Sequence, residues 1–194
     1  MIAVIDGMGG QPGGDLAAWT ASRRLGELRL GNATSPDEVG EAIQQLSDHV
    51  LEVGRATEGH ALMGAVIAGL VCADTGLFLF NVGDCSILRT SGDYVGELAE
   101  IDSAGEHAVG QCLGGTEHPV AIDAHPIAYT PAQPERLILC SDGLTRCVDT
   151  AQIGDLAGEL DGPDLVRALI AAATRAGAPD NVTIAVVDID LDEQ

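Results

Sequence analysis

The sequence predicts an α+β fold with β-sheet at its centre. Helical periodicity is confined to one block near the N-terminus and another near the C-terminus. Between them lies a run of short apolar segments cut by turn residues, and the chain closes on one more β-like segment. Helices that flank a run of antiparallel strands pack outside the sheets, because each sheet must bury an apolar face against another layer. Of the 194 residues 46% are apolar, enough for a substantial core in one domain. No repeat, linker or low-complexity block interrupts the chain, so 1–194 reads as a single domain.

Ile2–Ile5 reads as a short buried strand running into the glycine-rich turn Gly7–Gly14. Asp15 is placed to N-cap a helix through about Leu30, with Leu16, Trp19, Leu25 and Leu28 as its apolar face. Ser35-Pro36-Asp37-Glu38 combines a capping box with proline at the first helical position, and opens a second helix to about Arg55. Val39, Ile43, Leu46, Val50 and Val53 recur along it at helical spacing.

From there the pattern becomes β-like. Ala61–Ala73, Leu77–Val82 and Ser86–Thr90 are strand segments, with Asp74-Thr75-Gly76 and Ser91-Gly92-Asp93 as turns, and Tyr94–Leu98 continues the meander. Val120–Ile127 and Arg136–Cys140 follow as strands, separated by the proline-punctuated Thr130–Pro134. Ala151–Leu160 and Pro163–Ala176 read as helices, the second ended by Gly177 and Pro179. Val182–Ile189 is the last strand before the acidic tail DLDEQ.

Charge narrows the function classes. Thirty acids face nine basic residues, for a formal charge of −21, and all nine are arginine. With no lysine, a P-loop lysine, a Schiff-base lysine and the S-x-x-K nucleophile motif are excluded. So acidic a surface repels nucleic acid and anionic lipid and concentrates divalent cations. No apolar run reaches the roughly 20 residues of a membrane span. The N-terminus lacks a basic leader followed by a cleavable apolar segment. Five cysteines without a C-x-x-C pair fit reduced thiols in a cytoplasmic protein, and a structural zinc site is disfavoured.

Four aspartates carry the chemistry: Asp6 in AVIDGMGG, Asp84 in FNVGDCS, Asp142 in LILCSDGL and Asp180 in APDNVTI. A carboxylate at the end of a buried strand is costly unless a cation or hydrogen bonds compensate it. Four such strand ends imply convergence on bound metal. Singly, each has a plainer reading. Asp84, Asp142 and Asp180 all suit ordinary turns. The glycine-rich turn after Asp6 invites a dinucleotide reading, but Pro12 stands where that fingerprint requires glycine and no βαβ repeat follows.

Together, DGMGG, NVGD, CSDGL and PDN resemble the motifs of the metal-dependent protein phosphatases (the PPM family, type 2C serine/threonine phosphatases). Leu113-Gly114-Gly115 falls between the second and third motifs much as an LG element does in bacterial members. Met63-Gly64-Ala65-Val66 resembles the family's Gly-Thr-Thr strand, with Ala65 and Val66 in place of the threonines. The resemblance runs from Ile2 to about Asp188. It implies a four-layer α-β-β-α sandwich of two antiparallel sheets flanked by helices, and two or three Mn²⁺ or Mg²⁺ ions in a cleft between the sheets.

Carried over residue by residue, Asp6 bridges two ions and Gly7 offers its backbone carbonyl to one. Asp142 and Asp180 complete one metal's carboxylates, and Asp84 holds a third, weaker ion. Donors that are all oxygen suit these hard cations. The implied reaction is attack of a metal-activated water on a phosphoserine or phosphothreonine of a phosphoprotein, with no protein nucleophile.

The chain departs from the family pattern in three places. The family carries a segment ahead of the first strand, with an arginine for substrate phosphate and an Asn-x-Asp-like stretch supplying a metal-shell acid. Neither has a counterpart after Met1. The first strand then keeps an unpaired edge, which favours homodimerisation through it. Only about Ala99–Val109 is available for the helical flap of bacterial members, so the flap is reduced or absent.

Arg146 stands four residues after Asp142 where some members have an acid. It replaces the third ion's charge or contacts substrate phosphate, or else merely occupies a helix surface. Cys85 replaces the usual serine, and His60, His107, His118 and His125 read as surface or loop positions. The expected function is a cytoplasmic Mg²⁺/Mn²⁺-dependent phosphoprotein phosphatase. The alternative is a pseudophosphatase, the same sandwich serving as a binding or regulatory module with impaired catalysis.

Overall fold

The computed structural model describes residues 1–194 apart from 11, 92–93, 106–107, 179 and 192–194. The expected turn at Gly92-Asp93, the Pro179 helix stop, His107 and the end of the acidic tail lie outside the described residues. The chain begins with β1 (Ile2–Gly7), α1 (Gly14–Leu25), a 3₁₀ turn at Leu30–Asn32 and α2 (Pro36–Ala56). A meander follows through β2 (Gly64–Ala73), β3 (Gly76–Val82), β4 (Ser86–Ser91) and β5 (Tyr94–Glu97). Next come the short strands β6 (Ser103–Gly105), β7 (Ala108–Val109), β8 (Leu113–Gly114) and β9 (Ile127–Tyr129). The chain closes with β10 (Glu135–Cys140), α3 (Asp142–Thr145), α4 (Thr150–Glu159), α5 (Gly162–Arg175) and β11 (Ile184–Ile189).

Two antiparallel sheets form the centre. One has the order β1-β2-β3-β9, with β8 also pairing to β2, and the other has the order β11-β10-β4-β5. Period-2 alternation distributes each strand between two apolar layers. On β2, Val66, Ala68 and Leu70 face the other sheet, while Ala65, Ile67 and Val71 face α1 and α2. On β10, Leu137 and Leu139 face the first sheet, while Ile138 and Cys140 pack with Leu165 and Leu169 of α5. Three apolar layers thus separate four structural layers, the α-β-β-α sandwich expected. Among the described residues β1 pairs with β2 alone and forms a sheet edge. Among the described residues no helix is long and apolar enough to cross a membrane.

The second helix starts at Ser35 as expected, with the return bond of Glu38 shifted one residue, from Ser35 to Thr34. Ser35 Oγ accepts the Glu38 N–H at 3.4 Å, and Glu38 reaches back to Thr34, whose N–H donates at 2.7 Å and whose hydroxyl donates at 3.0 Å. Asp149 does the same for α4, accepting the Gln152 N–H at 2.8 Å.

The first helix departs from expectation. Gly13, in the left-handed region, is its N-cap; Asp15 lies in the first turn, and the helix ends at Leu25. Trp19, expected inside, is 57% exposed, with the Arg23 guanidinium 5.0 Å above its ring. Ala17, Thr20 and Ala21 are buried instead, because small side chains let α1 lie close to the sheet and α2.

The expected strand Val120–Ile127 does not form. His125 takes a left-handed φ of 42° and Pro126 has no N–H to give a ladder, so pairing with β3 begins only at Ile127. The stretch read as a shortened flap forms the small β6–β7 ribbon.

Candidate functional site

Three strand ends and one loop deliver the four aspartates to a common place between the sheets. Asp6 lies opposite Val66 and Gly7 opposite Ala65 in the β1–β2 ladder. The chain then turns sharply, with the Met8 N–H donating to the Gly64 carbonyl at 2.9 Å. Gly7 and Gly14 touch through their backbones, and a Cβ on Gly7 would collide with the Gly14 carbonyl. On the second reversal, Gly83 adopts φ 95° with Val66 against its Cα, and this turn presents Asp84.

Asp142 and Asp180 are held as a pair by a residue that carries no charge. Ser141, fully buried at the end of β10, donates its N–H to the Thr183 carbonyl at 3.0 Å and accepts the Thr183 N–H on Oγ at 3.1 Å. Its hydroxyl donates to the Asn181 carbonyl at 3.3 Å. Gly143 lies against that same carbonyl, and a Cβ there would strike it. Sequence reading named neither Ser141 nor Gly143. Their signal was the small-residue pair flanking Asp142, which only the loop crossing from β11 explains.

Asp6, Gly7, Asp84, Asp142, Arg146 and Asp180 line one cavity of about 590 Å³, with Met8, Val66 and Val109 as its apolar wall. Every residue expected at the site is therefore brought together. Burial is the main reason that the Asp6 carboxyl is pushed up to about 6, and Asp142, Asp180 and Asp84 add to the shift by repulsion. Asp84 is raised too, by burial and then by Asp142, with Arg146 opposing. The Cys85 thiol behind them is held well above its ordinary range by burial and by Asp6 and Asp84.

Among the described residues Arg146 is the one basic side chain lining the cavity. Its Nη2 stands 2.6 Å from Asp142 Oδ2 and 3.8 Å from Asp84 Oδ2. The plain helix-surface position is thereby replaced by one inside the cluster. A guanidinium bridging two carboxylates marks where this arrangement calls for positive charge. The donors are all oxygen, the set that hard divalent cations take. Among the described residues no three acidic, histidine or cysteine side chains close tightly enough to hold one ion by themselves. An ion bound here would draw on backbone oxygen and water as well, as Mg²⁺ commonly does.

Comparison with known proteins converges on one family. The family model described as Protein phosphatase 2C matches residues 1–183. The protein phosphatase PhpP of Streptococcus pneumoniae is 26% identical over 221 aligned residues, covering 100% of this chain and 87% of PhpP. Among solved structures, the PPM Ser-Thr phosphatase MsPP from Mycobacterium smegmatis, in complex with cacodylate, superposes with a TM-score of 0.79 at 26% identity. That match covers 96% of this chain and 87% of MsPP. The catalytic domain of the serine threonine protein phosphatase PstP, in complex with two manganese ions, gives a TM-score of 0.82 at 22% identity. It covers 97% of this chain and 86% of that domain, and at this identity it speaks to the fold.

Proposed function

The chain belongs to the protein phosphatase 2C family, and from that premise we propose that it is a divalent-metal-dependent protein-serine/threonine phosphatase. Its substrate is a phosphoserine or phosphothreonine presented by a phosphoprotein, and its cofactors are two or three Mn²⁺ or Mg²⁺ ions. The observation that carries this reading is the gathering of Asp6, Asp84, Asp142 and Asp180 around one cavity with a single arginine to offset them. Four carboxylates so placed repel one another, and bound cations relieve that repulsion.

Bound divalent cations supply a water of lowered pKa as nucleophile and offset charge on the phosphoryl oxygens. Asp6, whose carboxyl is repelled by Asp142, Asp180 and Asp84, would hold a cation together with the Gly7 carbonyl. Asp142 and Asp180, tied to each other through Ser141, complete the inner set, and Asp84 serves the outer position. Arg146 is the donor that reaches a substrate phosphate. The apolar wall of Met8, Val66 and Val109 limits the water that competes for these charges.

The deciding experiment is hydrolysis of p-nitrophenyl phosphate with Mn²⁺, comparing the wild type with Asp142→Ala. Metal-dependent turnover lost in the variant supports the enzyme; a wild type without such turnover sinks it. The contact between Arg146 and Asp142 favours a second reading, a pseudophosphatase whose arginine has displaced a metal. Mn²⁺ binding without turnover distinguishes that case. Homodimerisation through the open edge of β1 belongs to the same proposal. A monomeric mass by light scattering at micromolar concentration counts against it.

A further inference from the structure

His125, which carries no motif, stands in a polar network behind the Asp84 turn. Asp102 joins the two. Its backbone N–H donates to the Gly83 carbonyl at 3.0 Å, and its Oδ2 accepts the Gly83 N–H at 2.8 Å. One residue thus grips both polar groups of the position just before Asp84. The other carboxylate oxygen, Oδ1, accepts from Gln111 Nε2 at 2.8 Å and faces His125 Nε2 at 3.0 Å. The side chains of His125 and Asp102 are only 12% and 11% exposed.

Further bonds link the network to the backbone around His125. Gln111 Oε1 accepts the Asp123 N–H at 2.8 Å, and Asp123 Oδ1 accepts the His125 N–H at 2.9 Å. That last bond holds His125 in its left-handed conformation, which non-glycine residues adopt rarely and chiefly where surroundings impose it. Three carboxylates, Asp102, Glu100 and Asp123, surround the ring, the last two at 3.5 and 3.7 Å from Nδ1. None of these residues lines the aspartate cavity.

We propose that His125 is a positioning residue whose ring, acting through Asp102, fixes the Gly83–Asp84 turn and with it the carboxylate of the outer cation position. This rests on the phosphatase reading above. With the ring bond gone, Asp102 Oδ1 keeps Gln111 alone, and the carboxylate is held less firmly against the Gly83 N–H. The turn relaxes, and Asp84 tightens the ion pair that it already makes with Arg146 at 3.8 Å. The outer cation then competes with that pair, while the positions served by Asp6, Asp142 and Asp180 keep theirs.

The test uses His125→Asn and His125→Gln. Asparagine tolerates the left-handed backbone but is too short to reach Asp102; glutamine places its Nε2 near that of the imidazole and restores the donor. In metal-free protein, hydrogen exchange at the Gly83 amide is expected to accelerate in His125→Asn and return toward wild type in His125→Gln. In calorimetric Mn²⁺ titration, His125→Asn is expected to lose about ten- to hundredfold in the weaker binding step only, the range for groups that orient a metal ligand from behind. Unchanged Gly83 exchange and unchanged Mn²⁺ binding in His125→Asn overturn the proposal. If the wild type binds no Mn²⁺, the phosphatase reading fails, and Gly83 exchange still decides whether His125 positions the turn. Should His125→Asn not fold, Asp102→Asn takes its place. The same selective loss supports the coupling, and wild-type binding refutes it.

Discussion

Arg146 and Asp142 form the tightest ion pair of the cavity, Nη2 to Oδ2 at 2.6 Å, with the arginine 40% exposed and the aspartate 14%. A pair still open to solvent on its arginine side adds little stability, about 0–1 kcal/mol. Its consequence is local, because the guanidinium takes up carboxylate oxygens that a cation also needs. Arg146→Ala is therefore expected to change thermal stability by no more than a few degrees and to tighten Mn²⁺ binding several-fold. The same variant is expected to raise KM for p-nitrophenyl phosphate, since the cavity loses the one basic group that lines it among the described residues. Wild-type values for both Mn²⁺ affinity and KM would return Arg146 to the status of a surface residue.

The Asp6 carboxyl makes metal-free stability depend on pH. Its folded value near 6 lies above the ordinary 3.8, so the folded state holds the proton more tightly than the unfolded chain does. The stability this contributes is full below the ordinary value and is lost as pH rises through about 6. After screening, on the order of 1 kcal/mol is at stake, or about 2–4 °C in Tm. Metal-free protein is expected to melt higher at mildly acid pH than at neutral pH. Asp6→Asn should flatten part of that slope, and saturating Mn²⁺ should reverse it. Melting curves with identical slopes for wild type and Asp6→Asn would contradict this account.

The sheets, the long helix and the four aspartates were legible because each rests on local chemistry. Alternation on β2 and β10 assigns residues to layers, Ser35 and Glu38 mark a helix start, and a glycine adjoins Asp6, Asp84 and Asp142 while proline and asparagine flank Asp180. The rest depends on partners distant in sequence. Trp19 has the right spacing for an apolar face, but the tight contact of α1 with its neighbours admits Ala17 and Ala21 and leaves the large ring outside. Val120–Ile127 reads as a strand until the left-handed turn at His125 ends it, and that turn is held by Asp123 and Gln111. The bonds of Ser141 to Asn181 and Thr183 cross from one loop to another, a relation no window along the chain reveals.

Gly143 tests whether the Asp142 and Asp180 loops must lie in contact. A methyl group at this position collides with the Asn181 carbonyl, which is backbone and cannot swing aside. Gly143→Ala is expected to cost about 1–3 kcal/mol by overpacking. It should also weaken Mn²⁺ binding beyond what the stability loss explains, because Asp180 adjoins the displaced Asn181. Gly158→Ala, at a helical position with open space around it, is the control and should gain about 0.4–1 kcal/mol of stability while leaving Mn²⁺ binding unchanged. Equal Mn²⁺ affinities in the two variants would remove the argument for loop contact.

Leu139 separates support from chemistry. It is fully buried between the sheets, three residues before Asp142 on the strand that delivers it. Leu139→Ala is expected to lose about 2–5 kcal/mol through lost transfer energy and the cavity left behind. At about 2–4 °C per kcal/mol, that lowers Tm by several degrees or more. Asp142 is fixed mainly by the Ser141 bonds to Thr183 and Asn181, which the substitution leaves in place. Mn²⁺ affinity and KM, measured well below the new Tm, should therefore stay close to wild type. A parallel fall in metal affinity would mean that the inter-sheet packing, and not the Ser141 bonds, sets the position of the aspartate.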